Sequence, residues 1–525
     1  MKSRDVMDVA KDAARAIAVM FIGNASSIVT FSVASVIIAR LLGPSDYGSY
    51  TMALAVPSVM MACTDFVTPA LVRVMTRSMS KGRGELVQGF VKTGISFELG
   101  VAASTFLILV SLANTIATHV MNRPGMAHSI QIASIAVIGG VLLATSNSIF
   151  VGLDKTGWTA LLSFLSSVIK LVMAPSLIML GFGVGGALTG HVLAYLSVGI
   201  LGSLIALKLS RNQEPASYSD SSPTTRLVPM VRFGMPIYTS NLIDGFLSQY
   251  HLIILPWFTS NTDIGNYSVT MIFSLVIALL TNPIYTALFA AFSKLDADVN
   301  PDDVGTLFRH SLRYTNLLLI PASFFIAIAS ESIIEVFYGA HYAQASQYLK
   351  IYSMNFMFVG ISSVLRGFFN GIGRTRRSLE ASVVQLSSIL CFSVIFTRFY
   401  GVIGFICATL LSNILLPVYL GLAARYQHGL QFDPKGASRI LVSSLLSTTA
   451  TLGLTLLPYP YLTKLAVTIA IFGTIYLTIT PIVGGIENED LANLKWISNA
   501  MGPISKLSKI ALCYQERILS TMRDR

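Results

Sequence analysis

Fourteen runs of mostly apolar residues, each about 20 residues long, recur along the chain with polar segments between them. A helix needs about 20 apolar residues to cross the hydrocarbon core of a bilayer, and its backbone groups bond within the segment. The pattern therefore predicts an all-α polytopic membrane protein with about fourteen transmembrane helices. The predicted spans are centred near residues 27, 60, 101, 139, 169, 195, 245, 277, 320, 359, 389, 413, 447 and 474.

Lys and Arg concentrate in alternate segments between these spans. The N-terminal segment, the loops near residues 80, 220, 300, 375 and 430, and the C-terminal tail are basic. Cytoplasmic loops of membrane proteins carry an excess of Lys and Arg, so this alternation predicts a cell-membrane protein with both termini in the cytoplasm. The opposite loops carry at most one such residue each: Arg40, Arg123, Lys350, Arg398 and Lys464.

Composition agrees with this class. Of 525 residues, 53% are hydrophobic and 12% are charged, against about 25% charged in soluble proteins. The numbers exclude a soluble globular protein and a disordered one. The net charge of +11 comes from the basic loops and does not indicate nucleic-acid binding. The four cysteines lack metal-ligand spacing, so we expect no metal and no cofactor.

The chain also contains an internal repeat. DYGSY at 46–50 corresponds to DIGNY at 263–267, an offset of 217, and Asn24 corresponds to Asn241 at the same offset. GVGG at 183–186 corresponds to GVIG at 401–404, and the dipeptide at 155–156 to that at 374–375. The offset spans six predicted helices, so we expect two parallel six-helix lobes related by a pseudo-two-fold axis along the membrane normal, plus two C-terminal helices.

The repeat and the polar segments give predicted boundaries. We expect an amphipathic cytoplasmic segment first, then the N-lobe, a cytoplasmic linker, the C-lobe, the two extra spans and a basic amphipathic tail at the inner membrane surface. These segments are 1–15, 16–207, 208–228, 229–426, 437–486 and 487–525.

Two strings resemble a known family. ARLLGPSDYGSYTMALAV at 39–56 and DFVTPALVRVMTR at 65–77 are similar to the first-loop and second-span signatures of Wzx (RfbX)-type polysaccharide transporters. These belong to the multidrug/oligosaccharidyl-lipid/polysaccharide (MOP) flippase superfamily. The resemblance implies a V-shaped, MATE-like transporter that flips a lipid-linked oligosaccharide, on a polyprenyl- or dolichyl-phosphate type carrier, to the outer leaflet by alternating access. It also implies that the glycosyltransferases and the polymerase of the same pathway are partners of this protein.

Cations within or at the ends of spans are candidates for contact with substrate phosphate, because ionisable groups in a membrane are costly to keep there. Lys170 lies in the middle of the fifth span; the alternative is a structural ion pair with Glu98 or Asp244. Arg73 either contacts substrate or fixes topology, and Arg40 either contacts substrate or extends to the interface. Arg366, at the cytoplasmic end of the tenth span, fits both roles.

Three acids fall in predicted spans: Asp65, Glu98 and Asp244. They either bind a coupling H⁺ or Na⁺ or neutralise nearby cations. Asn24 and Asn241 either face the sugar or join helices by hydrogen bonds, and His191 is expected to pack in the lobe. A cation-coupled multidrug or organic-cation antiporter of the same superfamily is the alternative function. The short outer loops lack a catalytic motif, so we do not expect an enzyme.

Overall fold

The computed structural model describes residues 3–64, 67–80, 85–211, 242–293, 301–455, 458–500 and 505–523. Within these residues nearly every segment is helical and no strand occurs. Helices α1 to α7 are Ser3–Thr64, Thr68–Ser80, Glu85–Thr115, Ala127–Ser134, Ala136–Gly152, Thr156–Leu177 and Gly183–Arg211. Helices α8 to α12 are His251–Ile254, Asn261–Phe292, Pro301–Phe337, Ala343–Tyr352 and Asn355–Gly371. Helices α13 to α17 are Thr375–His428, Pro434–Thr455, Tyr461–Ile482, Asn488–Ala500 and Ser505–Arg523.

Eight helices in the described part of the chain are long and apolar enough to cross a membrane, or nine if the bent pair Ala340–Tyr352 and Asn355–Gly371 is one span. Three of them continue through a non-helical glycine, so one helix here can hold two predicted spans: α1 at Gly43, α13 at Gly401, and the α6–α7 stretch at Gly181. The chain is therefore a multi-pass helical membrane protein, and the count of fourteen stays a prediction.

Two predicted spans are not among those helices. The span centred near 245 falls partly on 212–241, outside the described residues. The span centred near 447 is the 22-residue helix α14, whose Ser and Thr side chains lower its mean hydropathy. Hydroxyls of Ser443, Ser447 and Thr451 donate to carbonyls four residues earlier, which removes much of their polarity within the helix.

The repeat is visible in local backbone geometry. Gly183 has φ 51° and ψ −133°, and Gly401, 218 residues later, has φ 57° and ψ −137°. These left-handed values favour glycine, since a side chain would clash there. Lys155 (φ −106°, ψ 43°) and Arg374 (φ −87°, ψ 47°) precede α6 and α13 with nearly the same turn. The equivalent turns begin equivalent helices in the two halves of the sequence.

The described residues form two compact units, Met1–Ile272 and Phe273–Arg525. A core of α2, α3, α5, α6 and α7 residues, including Leu71 and Phe150, fills the first unit. A core of α9, α10, α12 and α13 residues, including Phe308 and Phe368, fills the second. The predicted linker 208–228 lies almost wholly outside the described residues, so the predicted lobe boundaries stay predictions.

Candidate functional site

Lys170 lies inside the first unit, on α6, and is 3% exposed. Its Nζ atom lies 3.7 Å from the centre of the Phe31 ring and 5.9 Å from that of Tyr50. Both rings belong to α1, one on each side of the break at Gly43. The deepest cation predicted from the sequence is thus buried against aromatic faces.

Two side chains of α7 complete the surroundings. The His191 ring centre lies 4.7 Å from that of Tyr195, with the two rings tilted by 34°, and His191 is an electrostatic neighbour of Lys170. Among the residues described, the Tyr50 hydroxyl and His191 Nδ1 are buried without a hydrogen-bond partner. We call Phe31, Tyr50, Lys170, His191 and Tyr195 the Lys170 cluster. It contains one cation and two polar atoms that are free to bond a ligand.

Small polar residues bring the helices of the cluster together. The Ser27 hydroxyl on α1 lies 2.9 Å from the carbonyl oxygen of Ser163 and 2.9 Å from the Ser167 hydroxyl, both on α6. Interhelical serine contacts of this kind let helix backbones approach closely in a membrane. The contacts fix α1 beside α6, one turn away from Lys170, and so place the Phe31 ring over its ammonium.

The electrostatics of the cluster favour an anion. Burying an unpaired ammonium costs several kcal/mol, and an aromatic face returns about 2 kcal/mol when desolvated. Among the described residues no carboxylate pairs with Lys170; the ammonium contacts rings instead. A phosphate oxygen at this position would supply the missing counter-charge and could accept a hydrogen bond from the Tyr50 hydroxyl.

The three predicted acids are not gathered around Lys170. Glu98 on α3 is fully buried, and its Oε1 accepts a hydrogen bond of 3.0 Å from the backbone N–H of Val67. This contact satisfies a donor at the start of α2. Asp244 lies on the helical stretch 242–249 and is exposed, and Asp65 lies outside the described residues. The structure therefore does not form the ion pairs considered as alternatives for Lys170.

The remaining sequence candidates take varied positions. Arg40, Arg73 and Asn24 are exposed, whereas Asn241 lies outside the described residues. Arg366 is half-buried on α12 in the second unit, and its guanidinium donates to the Ser382 hydroxyl at 3.1 Å. The structure brings none of these four described residues into the Lys170 cluster.

A polar chain in the second unit was not predicted. Arg366 lies 3.5 Å from Gln385 Oε1, the Gln385 amide donates to Asn413 at 2.9 Å, and Asn413 donates to Asn355 at 3.0 Å. We call these four residues the amide chain. It joins α12 to both halves of α13. In the sequence, these residues stand out only as isolated polar side chains within apolar runs. Their pairing could not be predicted, because the partners lie up to 58 residues apart.

Comparison with known proteins gives the family of this chain. A family model described as "Polysaccharide biosynthesis protein" matches residues 37–347. A curated relative, "Probable low-salt glycan biosynthesis flippase Agl15" of Haloferax volcanii, is 21% identical over 167 residues, 32% of this chain and 35% of that protein. "Succinoglycan biosynthesis transport protein ExoT" of Rhizobium meliloti is 23% identical over 343 residues, 64% of this chain and 65% of that protein. The chain thus covers less than two thirds of the length of either relative.

Solved structures establish the fold. The lipid II flippase MurJ in its inward closed conformation is similar with a TM-score of 0.74 and 18% identity, covering 88% of this chain and 98% of that one. An inward-facing MATE family transporter of the MOP superfamily gives a TM-score of 0.67 with 15% identity, covering 77% of this chain and 94% of that one. At these identities the likeness concerns the fold alone, which this chain shares with both transporters.

Proposed function

This chain belongs to the polysaccharide biosynthesis protein family, and on that premise we propose that it flips a lipid-linked oligosaccharide across the cell membrane. The substrate would move from the cytoplasmic to the outer leaflet by alternating access, for surface polysaccharide or glycoprotein assembly. The glycan biosynthesis flippase and the succinoglycan transport protein among its relatives support this function. The likeness in fold to MurJ supports it too, because MurJ is a lipid II flippase.

The observation that carries the proposal is the buried, carboxylate-free ammonium of Lys170. A lipid-linked sugar has an isoprenoid tail, one or two phosphates and a large polar head. The phosphates need cationic partners along any path through the hydrocarbon core, and a cation retained there at a cost of several kcal/mol is by default functional. We assign Lys170 the role of phosphate partner, with the Tyr50 hydroxyl as a second donor. Arg40, Arg73 and Arg366 remain candidates for contacts nearer the membrane surfaces.

Energy for directed movement would come from a coupling ion or from consumption of the product. Asp65, Glu98 and Asp244 are the acids that we propose for H⁺ or Na⁺ coupling. Glycosyltransferases and a polymerase of the same pathway would supply and consume the substrate. Both termini would lie in the cytoplasm, as the distribution of Lys and Arg predicts.

The alternative is a cation-coupled antiporter for organic cations, since MATE transporters share the fold. One observation weighs against it. An organic cation entering the Lys170 cluster would meet a like charge in a medium of low dielectric constant, where repulsion is strong. The cluster therefore fits an anionic substrate better than a cationic one.

The test is flipping of a fluorescent polyprenyl-diphosphate oligosaccharide in proteoliposomes, with and without a proton gradient. We expect wild-type protein to flip the lipid and Lys170→Ala to slow it at least about tenfold, the value of one charge-assisted contact. Lys464→Ala is the matched control, because Lys464 also lies over a tyrosine ring, at 5.3 Å, but on α15. Absence of flipping by wild type, together with export of a cationic dye, would favour the antiporter.

A further inference from the structure

Two helix starts cross each other in the first unit through reciprocal contacts. A Cβ atom added to Gly48 would overlap the carbonyl oxygen of Asn261, and one added to Gly265 would overlap the carbonyl oxygen of Pro44. The two contacts are reciprocal: Asn261 lies four positions before Gly265, and Pro44 lies four positions before Gly48. We call this contact of Pro44–Thr51 with Asn261–Ser268 the outer crossing. Only glycine lets the two backbones come this close.

The outer crossing lies on the axis of the internal repeat. The hydroxyls of Thr51 and Ser268 are 3.0 Å apart, and these residues are separated by 217 positions, the offset of DYGSY and DIGNY. A residue that bonds its own repeat equivalent must lie on the axis that relates the repeats, as in an isologous interface. The crossing is therefore where the two repeats meet symmetrically.

Arg123 holds the second segment of the crossing from a separate loop. Its Nε donates to Asn261 Oδ1 at 2.8 Å, and its two terminal nitrogens donate to the carbonyl oxygens of Pro256 at 2.8 Å and Thr259 at 2.6 Å. Asn261 in turn donates to the Ser49 hydroxyl at 3.1 Å. The guanidinium thus joins the loop of Arg123 directly to residues 256–261 and, through the Asn261 side chain, to Ser49.

The indole of Trp257 adds a further link, donating to the carbonyl oxygen of Val120 at 2.8 Å. In the described part of the chain, the acceptors of Arg123 are all amide or carbonyl oxygens, so these contacts break without separating an ion pair. Hydrogen bonds from a guanidinium are strong while they are formed, and a set of contacts between loops that breaks together suits a conformational switch.

We propose that the outer crossing is the outer gate of this transporter and that Arg123 holds the gate shut in the conformation described. The headgroup leaves only after Pro44–Thr51 and Asn261–Ser268 separate, and loss of the Arg123 contacts makes that separation more frequent. The inference rests on the proposed function, which supplies the direction of transport. A permanent pivot is the competing role for the crossing, and it predicts opposite results in the experiments below.

The first experiment measures opening without any substrate. Ser268 is 6% exposed, so a cysteine at this position is shielded while the crossing is closed. In full-length protein with the four native cysteines replaced by Ser, we expect Arg123→Ala to raise labelling of Ser268→Cys by an impermeant maleimide, added outside, about tenfold or more. Arg123→Lys should give an intermediate rate because the charge stays and the fork is lost. Arg398→Ala, an exposed arginine of another predicted outer loop, is the control and should change nothing. Unchanged labelling in Arg123→Ala would overturn the role of Arg123.

The second experiment locks the crossing. Thr51→Cys with Ser268→Cys places two thiols where hydroxyls are 3.0 Å apart, within the reach of a disulfide. We expect the oxidised protein to lose flipping and the reduced protein to regain it. Full transport by the oxidised protein would make the crossing a pivot and overturn the gate, and failure of the disulfide to form would contradict the crossing itself. If wild type flips no lipid-linked oligosaccharide yet labelling still responds to Arg123→Ala, the substrate proposal fails while the gate stands.

Discussion

Replacing Lys170 with methionine should make the protein more stable and inactive at the same time. Methionine is unbranched and only one atom shorter than lysine, so the change keeps most of the packing and removes the charge. Burying the unpaired ammonium costs several kcal/mol. Its cation–π contact with the Phe31 ring at 3.7 Å stabilises the folded protein by about 2 kcal/mol, and that with the Tyr50 ring at 5.9 Å by less than about 1 kcal/mol. The balance predicts that Lys170→Met stabilises the protein by about 1–3 kcal/mol.

A second variant separates charge from packing. Lys170→Ala removes the same charge but also leaves a cavity between α1, α6 and α7, so it should lie about 2–3 kcal/mol below Lys170→Met. Both variants should flip the lipid at least about tenfold more slowly than wild type. This combination, stability up and activity down, is expected where a strained group is retained for function.

The assay is thermal unfolding in detergent, followed with a thiol-reactive dye at half-buried Cys63 and Cys407, together with flipping in proteoliposomes. We expect Lys170→Met to melt at a higher temperature than both wild type and Lys170→Ala. If Lys170→Met melts as low as Lys170→Ala, the ammonium is satisfied and its role is structural. If Lys170→Met is stabilised and still flips at the wild-type rate, Lys170 lies outside the transport path.

Three further predictions concern the second unit. Asn413→Leu should destabilise the protein by about 1–3 kcal/mol, because the Gln385 amide N–H loses its acceptor and the Asn355 amide oxygen loses its donor; a chemical unfolding curve that matches wild type would contradict this. Arg313→Ala should release α16, because it strips a partner at 2.9 Å from the nearly buried Asp490, a loss of about 3–5 kcal/mol visible as faster hydrogen exchange over 488–500. Burial raises the pKa of Asp490, so the folded state binds more protons and the stability of α16 should fall as pH rises from about 4 through the raised value. Asp490→Asn should flatten that slope, and an equal slope in this variant would assign the effect to another group.

The sequence located features that depend on local pattern. Apolar runs gave a multi-pass helical protein, and the motif offsets of 217 to 219 gave the repeat that reappears as matched turns at Gly183 and Gly401. The resemblance at 39–56 pointed to the family that the comparison then established. These results follow because helix-forming patterns and turn residues act over a few positions, where the sequence is directly informative.

Partnership between distant residues was decided by the tertiary structure. The sequence singled out Lys170 because a lysine in the middle of a span is rare, but left open whether Glu98 would pair with it. Helix packing decided that the ring of Phe31, 139 residues earlier in the chain, covers its ammonium, while Glu98 binds the Val67 backbone instead. Likewise, the repeat predicted equivalent segments, but only packing brought Gly48 and Gly265 against each other. The apolar pattern of a span determines that the segment is a membrane helix. It does not determine which neighbour each face of that helix contacts, because lipid and protein interior are both apolar. The contacts between helices are made by small and polar groups that are spread across the chain.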